Sequence, residues 1–291
     1  ADYLIREIRE LVRGGARYDS IAVLYRTNLQ PRLLARRLYQ ENIPFRMREM
    51  LPDLNEHWIA RDLLAYLRLA RDRAEPGDLL RIMNRPNRYI RREAVRMEGE
   101  SLAGLRRHYE KSGEHWMDER LGKFAGELRR LGRMRPSEAI VYIRTEIGYD
   151  NFLKQYAEER EIEAEELFDI LEEIEASAEG FPTVSAWQAD GTAFSAACKA
   201  RSKRTEAGDE VQLMTYHASK GLEFPTVFLL DVNEGIVPHR KANSREELEE
   251  ERRMFYVAMT RARDELRILT CKTRFHRKAE ESRFVREYES H

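Results

Sequence analysis

The segment TYHASKGLEF, Thr215 to Phe224, sets a Lys-Gly pair between the apolar runs VQLM and TVFLLDV. A lysine beside a glycine in a loop between two strands suits phosphate, because the ammonium offsets charge and the glycine lets backbone N–H groups come close. A loop that holds a triphosphate unaided needs the pattern G-x-x-x-x-G-K-[ST]. No such run occurs. At the nearest candidate, Gly122-Lys123, Phe124 follows the lysine and Met117 stands where the first glycine belongs, while Ser219-Lys220-Gly221 has the order reversed. Asp231, closing VFLLD, has the look of a magnesium-binding strand end, but a buried strand ending in a turn explains it as well. The chain therefore carries part of a nucleotide site rather than a whole one.

What remains suits the far side of a nucleotide. Thr215, His217, Lys220 and Glu223 lie in a loop after a strand, where open parallel sheets place their ligands. Arg252, Arg253 and Arg261 read onto one helix, REELEEERRMFYVAMTRA, that leads into the next strand. An arginine presented to a γ-phosphate stabilises the charge of phosphoryl transfer, and a separate domain or chain can supply it. The competing reading pairs Arg252 and Arg253 with Glu249 and Glu250 on the surface, where such pairs contribute little.

Positioning these groups takes a sheet. YLIREIRELV has helical spacing and stops at Gly14-Gly15; SIAVLYR reads as a buried strand; QPRLLARRLYQEN reads as a helix with Pro31 in its first turn; IPFRM is a second strand. This is β-α-β order, the mark of a parallel sheet covered by helices. WIARDLLAYLRLAR continues as an amphipathic helix. From about Arg88 strand-like runs give way to helix formers, and they return at VQLMT, TVFLLDV and LRILT after the polar run SKRTEAGDE. Ser244 and Glu247 form a capping-box start for the long helix. The expected organisation is an α/β sheet domain over 1–87 and 206–291, interrupted by a helical domain over 88–205.

Composition excludes more than it identifies. The 291 residues allow two domains, and Lys+Arg 51 against Asp+Glu 52 gives no global preference for a polyanion. The distribution does: residues 81–135 hold 15 Lys/Arg against 8 Asp/Glu, and residues 146–179 hold 13 Asp/Glu against 2 Lys/Arg. Cys198 and Cys271 form no C-x-x-C, so neither a disulfide framework nor a metal site is expected, and a reducing cytoplasm fits. No apolar run reaches the roughly 18 residues of a membrane span, and no membrane partner is expected. The start at Ala1, inside a helical pattern, points to a piece of a longer protein.

YRTN at Tyr25–Asn28, VQLMTYHASKGLEFPTVFLLDVNEGIVPH at Val211–His239 and EEERRMFYVAMTRA at Glu249–Ala262 resemble motifs IVa, V and VI of superfamily 1 helicases, in the UvrD/Rep/PcrA branch. SRF at Ser282–Phe284 resembles that family's run soon after motif VI. The resemblance implies a P-loop NTPase-like, RecA-like domain without Walker A, called 2A, interrupted by an all-α subdomain, called 2B. It implies the C-terminal part of an ATP-dependent DNA translocase moving 3'-to-5' in repair or replication. ATP and Mg2+ would be bound mainly by a first RecA-like domain that carries Walker A and B. Partners would be single-stranded DNA and its junctions with duplex; the piece alone would be inactive. Position by position, Arg261 matches the arginine that reaches the γ-phosphate, and Glu223 matches a carboxylate near the nucleotide ribose, with Gly221 allowing close approach. Thr215 and His217 match DNA-proximal positions, with Arg26 and Asn28 adding contacts; Tyr216 departs from the usual Leu.

The insert departs further. Many members of the family carry a Gly-Ile-Gly turn where this chain reads RYIRREAV, so the resemblance does not carry over the glycine-based backbone contact with duplex phosphate. Arg81, Arg85, Arg88, Arg91, Arg92 and Arg96 cluster there, and Arg85, Arg88, Arg91 and Arg92 are the expected phosphate contacts in its place. A solvated helix with counterions is the competing reading. For the whole protein, two alternatives to the translocase stand: a non-catalytic module binding DNA or a repair partner, and the helicase half of a helicase-nuclease.

Overall fold

A computed structural model describes residues 1–51, 53–202, 208–275 and 277–289. Two compact units form, one from Ala1–Pro52 with Ala193–His291 and one from Asp53–Thr192.

The first unit is built on five parallel strands in the order β2-β3-β1-β4-β5: β1 (Ile21–Tyr25), β2 (Phe45–Met47), β3 (Val211–Thr215), β4 (Phe224–Leu229) and β5 (Ala262–Ile268). All five residues of β1 are buried, as a central strand covered on both faces requires. Its side chains alternate between two cores. Ile21, Val23 and Tyr25 meet helices α1 (Asp2–Arg13) and α2 (Arg32–Gln40). Ala22 and Leu24 meet Met214, Val227, Leu229 and Phe255. A short hairpin, β6 (Thr273–Arg274) with β7 (Arg277–Lys278), follows β5.

The second unit is helical: α3 (Trp58–Leu69), α4 (Asp78–Ile82), α5 (Arg92–Glu98), α6 (Leu102–Lys111), α7 (Trp116–Leu131), α8 (Pro136–Thr145), α9 (Tyr149–Arg160), α10 (Ala164–Ser177) and the start of α11 (Val184–Ser202). Its edges differ from the expected 88–205. The amphipathic helix α3, expected with the sheet, packs on α4, α7, α8 and α10, because its buried Leu63, Tyr66 and Leu67 find helical rather than strand partners. The far edge comes earlier because Phe194 is buried in the sheet core with Cys198 packed against it. The expected edge at 205/206, with most of SKRTEAGDE, lies outside the described residues.

After β4 come α12 (Arg245–Met259) and, following the hairpin, α13 (Arg283–Glu289). The capping box is present: the Ser244 hydroxyl accepts from the Glu247 N–H at 3.1 Å, and the Glu247 carboxylate accepts from the Ser244 N–H at 2.8 Å. The helix ends at Met259, earlier than its sequence pattern suggested, so Arg261 sits in the turn before β5 rather than on the helix.

Candidate functional site

Parallel register fixes where the loop residues fall. Thr215 pairs with Tyr25 at the carboxyl edge of the sheet, and Phe224 pairs with Ala262 at the amino edge. Ile21 is level with Thr226, so the two edges lie six residue steps apart, roughly 20 Å along the strands. The segment Thr215–Phe224 therefore connects one end of the sheet to the other. His217 and Asn28 are exposed near the carboxyl edge; Gly221, Glu223 and Arg261 gather at the amino edge.

Arg261 is anchored there by three acceptors. Its Nε donates to the Val257 carbonyl at 2.9 Å, Nη1 to the Leu222 carbonyl at 3.0 Å and Nη2 to the Thr260 hydroxyl at 3.0 Å. Two of its five N–H groups remain. The Phe224 N–H donates to the Arg261 carbonyl at 2.9 Å. Gly221 has φ +81, a left-handed conformation that favours glycine, and a Cβ there would meet nothing within 4 Å. Glu223 is exposed beside it. An acceptor-only carboxylate, an open backbone and a partly committed guanidinium fit one flank of a nucleotide. Among the described residues no group of three or more His, Cys, Asp or Glu could hold a metal ion.

At the carboxyl edge two expected contacts are already engaged within the fold. The Thr215 residue is 7 % exposed; its hydroxyl donates to Glu49 and accepts from the Ala218 N–H at 3.2 Å, and its own N–H donates to Glu49 at 3.1 Å. Arg26 directs its fork into Glu251, with Nη2 donating at 2.7 Å and Nε at 3.0 Å. Thr215 and Arg26 therefore shape the edge, and the exposed polar groups beside them are His217 and Asn28. Ser219, fully buried, donates to the Tyr216 carbonyl at 2.7 Å and holds the turn. Lys220 is exposed.

Sequence reasoning missed three side chains here. Gln30, 5 % exposed, accepts from the N–H groups of Arg26 and Thr27 at 2.8 Å each and donates to the Leu230 carbonyl at 3.0 Å. Glu49 holds Thr215. Glu251, 6 % exposed, holds Arg26 and accepts from the His239 N–H at 3.1 Å. Only Glu251 left a sequence signal: it shares the helical stripe of Phe255 and Ala258, four and seven residues on. Arg252 and Arg253 follow the surface-pair reading, Arg252 with Glu287 and Glu249, Arg253 with Glu250 at 2.7 Å.

His239 gives this edge a pH dependence. Burial first, then the neighbouring Arg26, Arg240 and Lys241, hold its pKa below the usual 6.5, with Glu251 opposing. The unfolded chain takes up a proton near 6.5 that the folded chain refuses, so this contribution is intact above that pH and is lost as pH falls toward the depressed value. Thermal melts at about pH 7 and about pH 5.5 should show His239→Gln losing less stability on acidification than the parent. Parallel losses would remove His239 as a cause.

In the helical unit the arginine cluster divides. Arg88 is 9 % exposed and stands over the Phe124 ring at 4.1 Å. It donates to the carbonyls of Ile82 and Pro86 at 3.2 Å, to the Tyr66 hydroxyl at 3.0 Å and to Glu127 at 3.3 Å. The expected phosphate contact at Arg88 is thus corrected: a buried cation with this many acceptors is a post in the core. Burial pushes the Tyr66 phenol up to about 12 despite that cation. Arg85 is similarly committed, bonded to fully buried Asp62 at 2.6 and 2.7 Å and set over the Trp58 and Phe152 rings. Arg91 is half exposed but bonded to Glu114. Arg92 is exposed and makes no ion pair among the described residues.

The UvrD-like helicase C-terminal domain family matches residues 1–106 and 102–273. The ATP-dependent DNA helicase Rep of Salmonella typhimurium is 31% identical over 275 residues, covering 88% of this chain and 41% of that protein. Rep of Escherichia coli is 30% identical with the same coverage, and the ATP-dependent DNA helicase PcrA of Staphylococcus epidermidis is 30% identical over 296 residues, covering 94% of this chain and 40% of that protein. The chain spans about two fifths of the length of these relatives. With the parallel sheet and the motif-bearing loops in the positions described, the chain belongs to the UvrD-like helicase C-terminal domain family and has its α/β, RecA-like fold.

Proposed function

We propose that this chain is the second RecA-like domain and inserted helical subdomain of an ATP-dependent DNA helicase or translocase, moving 3'-to-5' on single strands in repair or replication in the cytoplasm. In this reading the sheet unit, residues 1–52 and 193–291, is 2A, and residues 53–192 are 2B. One observation carries it: Thr215–Phe224 joins the two ends of the sheet, and Arg261 is hydrogen-bonded to that same segment through Leu222. A change at the amino edge therefore has a covalent and hydrogen-bonded route to the carboxyl edge.

Glu223 would accept from the ribose hydroxyls, the open backbone at Gly221 would lie against the nucleotide, and Arg261 would turn its two remaining N–H groups to the γ-phosphate. His217 and Asn28 would meet the single strand, on an edge shaped by Thr215 and Arg26. Magnesium, when bound, would offset phosphate charge and be held by a first RecA-like domain with Walker A and B. Closure of that domain on this one and its release after hydrolysis would advance the strand.

Steady-state ATP hydrolysis by the full-length protein, with and without single-stranded DNA, tests the reading: DNA should stimulate turnover strongly. Titration of the 291-residue chain alone with ATP and magnesium should give weak or no binding. Tight magnesium-dependent binding would contradict the split site.

A further inference from the structure

Two of the exposed large apolar side chains in the helical unit share one cation. Tyr89 is 60% exposed and Trp116 is 52% exposed, and the Arg120 guanidinium stands 4.8 Å from the first ring centroid and 5.1 Å from the second. Arg120 is itself exposed and makes no ion pair among the described residues, unlike Arg85, Arg88 and Arg91. Exposing two aromatic rings forgoes the stabilisation that burial would give.

The backbone is shaped to keep Tyr89 outward. Its φ is +58, a conformation that a bulky non-glycine residue rarely adopts and that costs stability. The turn is held from below. The Asn84 side chain accepts from the N–H groups of Arg88 and Ile90 at 3.1 and 3.0 Å and donates to the Ile90 carbonyl at 2.8 Å, while Asn87 accepts from the Tyr89 N–H at 2.9 Å. Between this turn and α7 lies an open cavity of about 300 Å³ lined by Tyr89, Arg120 and Lys123 among others. Its charged walls are three cations, Arg88, Arg120 and Lys123, against one carboxylate, Glu127, which Arg88 and Lys123 already share.

We infer that Tyr89, Arg120 and Trp116 form a stacking platform for unpaired bases of single-stranded DNA, with Arg120 and Lys123 meeting the flanking phosphates. Flat π-faces interleaved with guanidinium accept any base, and the excess positive charge selects a polyanion over a neutral apolar partner. The cavity has the volume for one base and not for a helix. The inference rests on the reading of the chain as part of a DNA translocase, and it adds a strand contact on the helical unit.

The probe is a short oligothymidylate titrated into the 291-residue chain at low salt, beside a blunt duplex of equal length. The strand should bind in preference to the duplex and quench tryptophan emission. Tyr89→Gly and Arg120→Gln should each weaken strand binding by about tenfold. Tyr89→Gly should leave the melting temperature unchanged or raise it, since glycine relieves the positive φ, so its binding loss cannot come from unfolding. Trp116→Phe should keep affinity within about twofold, as one π-face replaces another, while most of the quench disappears. Unchanged strand affinity in both Tyr89→Gly and Arg120→Gln overturns the platform, as does absence of strand binding by the parent chain. Loss of self-association in those variants with strand affinity intact assigns the patch to protein and also overturns it. DNA-stimulated ATP hydrolysis judges the translocase reading separately: its presence alongside strand affinity unchanged in both Tyr89→Gly and Arg120→Gln sinks the platform alone, and its absence sinks the translocase reading.

Discussion

Arg261→Ala in the full-length protein is expected to lower DNA-stimulated ATP hydrolysis by about a thousandfold or more while ATP affinity changes little. The magnitude follows from where charge develops. A guanidinium facing the γ-phosphate strengthens its interaction as the transition state forms, so its removal lowers kcat and leaves ground-state binding nearly alone. The fold prepares the group. Its hydrogen bonds to the Val257 and Leu222 carbonyls and the Thr260 hydroxyl restrict the side chain before any ligand arrives, which reduces the entropy lost when the remaining N–H groups engage. Arg261→Lys is expected to fail nearly as badly, because an ammonium cannot reproduce the planar fork that reaches these acceptors together. A merely structural arginine would behave otherwise: kcat within about tenfold of the parent, with a lowered melting temperature, would take Arg261 out of the phosphoryl-transfer role.

The sheet was legible because its strands are short apolar runs bounded by turns, and β1 is buried along its whole length. The capping box announced α12, but not its end. TRA continues the helical pattern, and only tertiary pairing of Ala262 with Phe224 pulls Arg261 out of the helix into the turn where it can reach Leu222. Helix α3, expected within the sheet domain, packs on α4, α7, α8 and α10 for a related reason. Its apolar stripe announces a buried face without saying whether strands or helices will cover it. The polar posts were hidden more deeply. Gln30 with Leu230, Glu49 with Thr215 and Glu251 with Arg26 join residues 200, 166 and 225 positions apart, and local spacing carries no trace of such partners.

That blindness to partners matters most in the arginine cluster, where equal residue types have unequal work. Six arginines in sixteen positions look like one phosphate-binding face. Folded, Arg85, Arg88 and Arg91 point their charge at Asp62, Glu127 and Glu114, whereas Arg92 and, outside the cluster, Arg120 are exposed and make no ion pair among the described residues. Charge counting along a chain overestimates the field a polyanion meets, because paired cations contribute little beyond the pair. The aromatic rings flanking Arg120 come from Tyr89 and Trp116, on either side of α5 and α6 in the sequence, so no window of the sequence displays the platform.

Arg88→Met is expected to destabilise the helical unit by about 3–5 kcal/mol, the range for breaking a buried pair from one side. Methionine fills much of the same volume against Phe124, so the loss is chiefly polar. Glu127, 8 % exposed, is left without its arginine, and the Ile82 and Pro86 carbonyls and the Tyr66 hydroxyl each lose a donor. The partner test separates this from cavity formation. Arg88→Met with Glu127→Leu removes both charges and is expected to recover about half of the loss or more, since an apolar pair replaces a desolvated ion pair at small cost. Arg92→Ala, exposed and unpaired among the described residues, is expected to stay within about 0.5 kcal/mol of the parent. Denaturant melts of the 291-residue chain, with duplex affinity measured alongside, read both properties. Stability within about 1 kcal/mol of the parent together with a clear loss of duplex binding would return Arg88 to the phosphate-contact role that its burial and hydrogen bonds argue against.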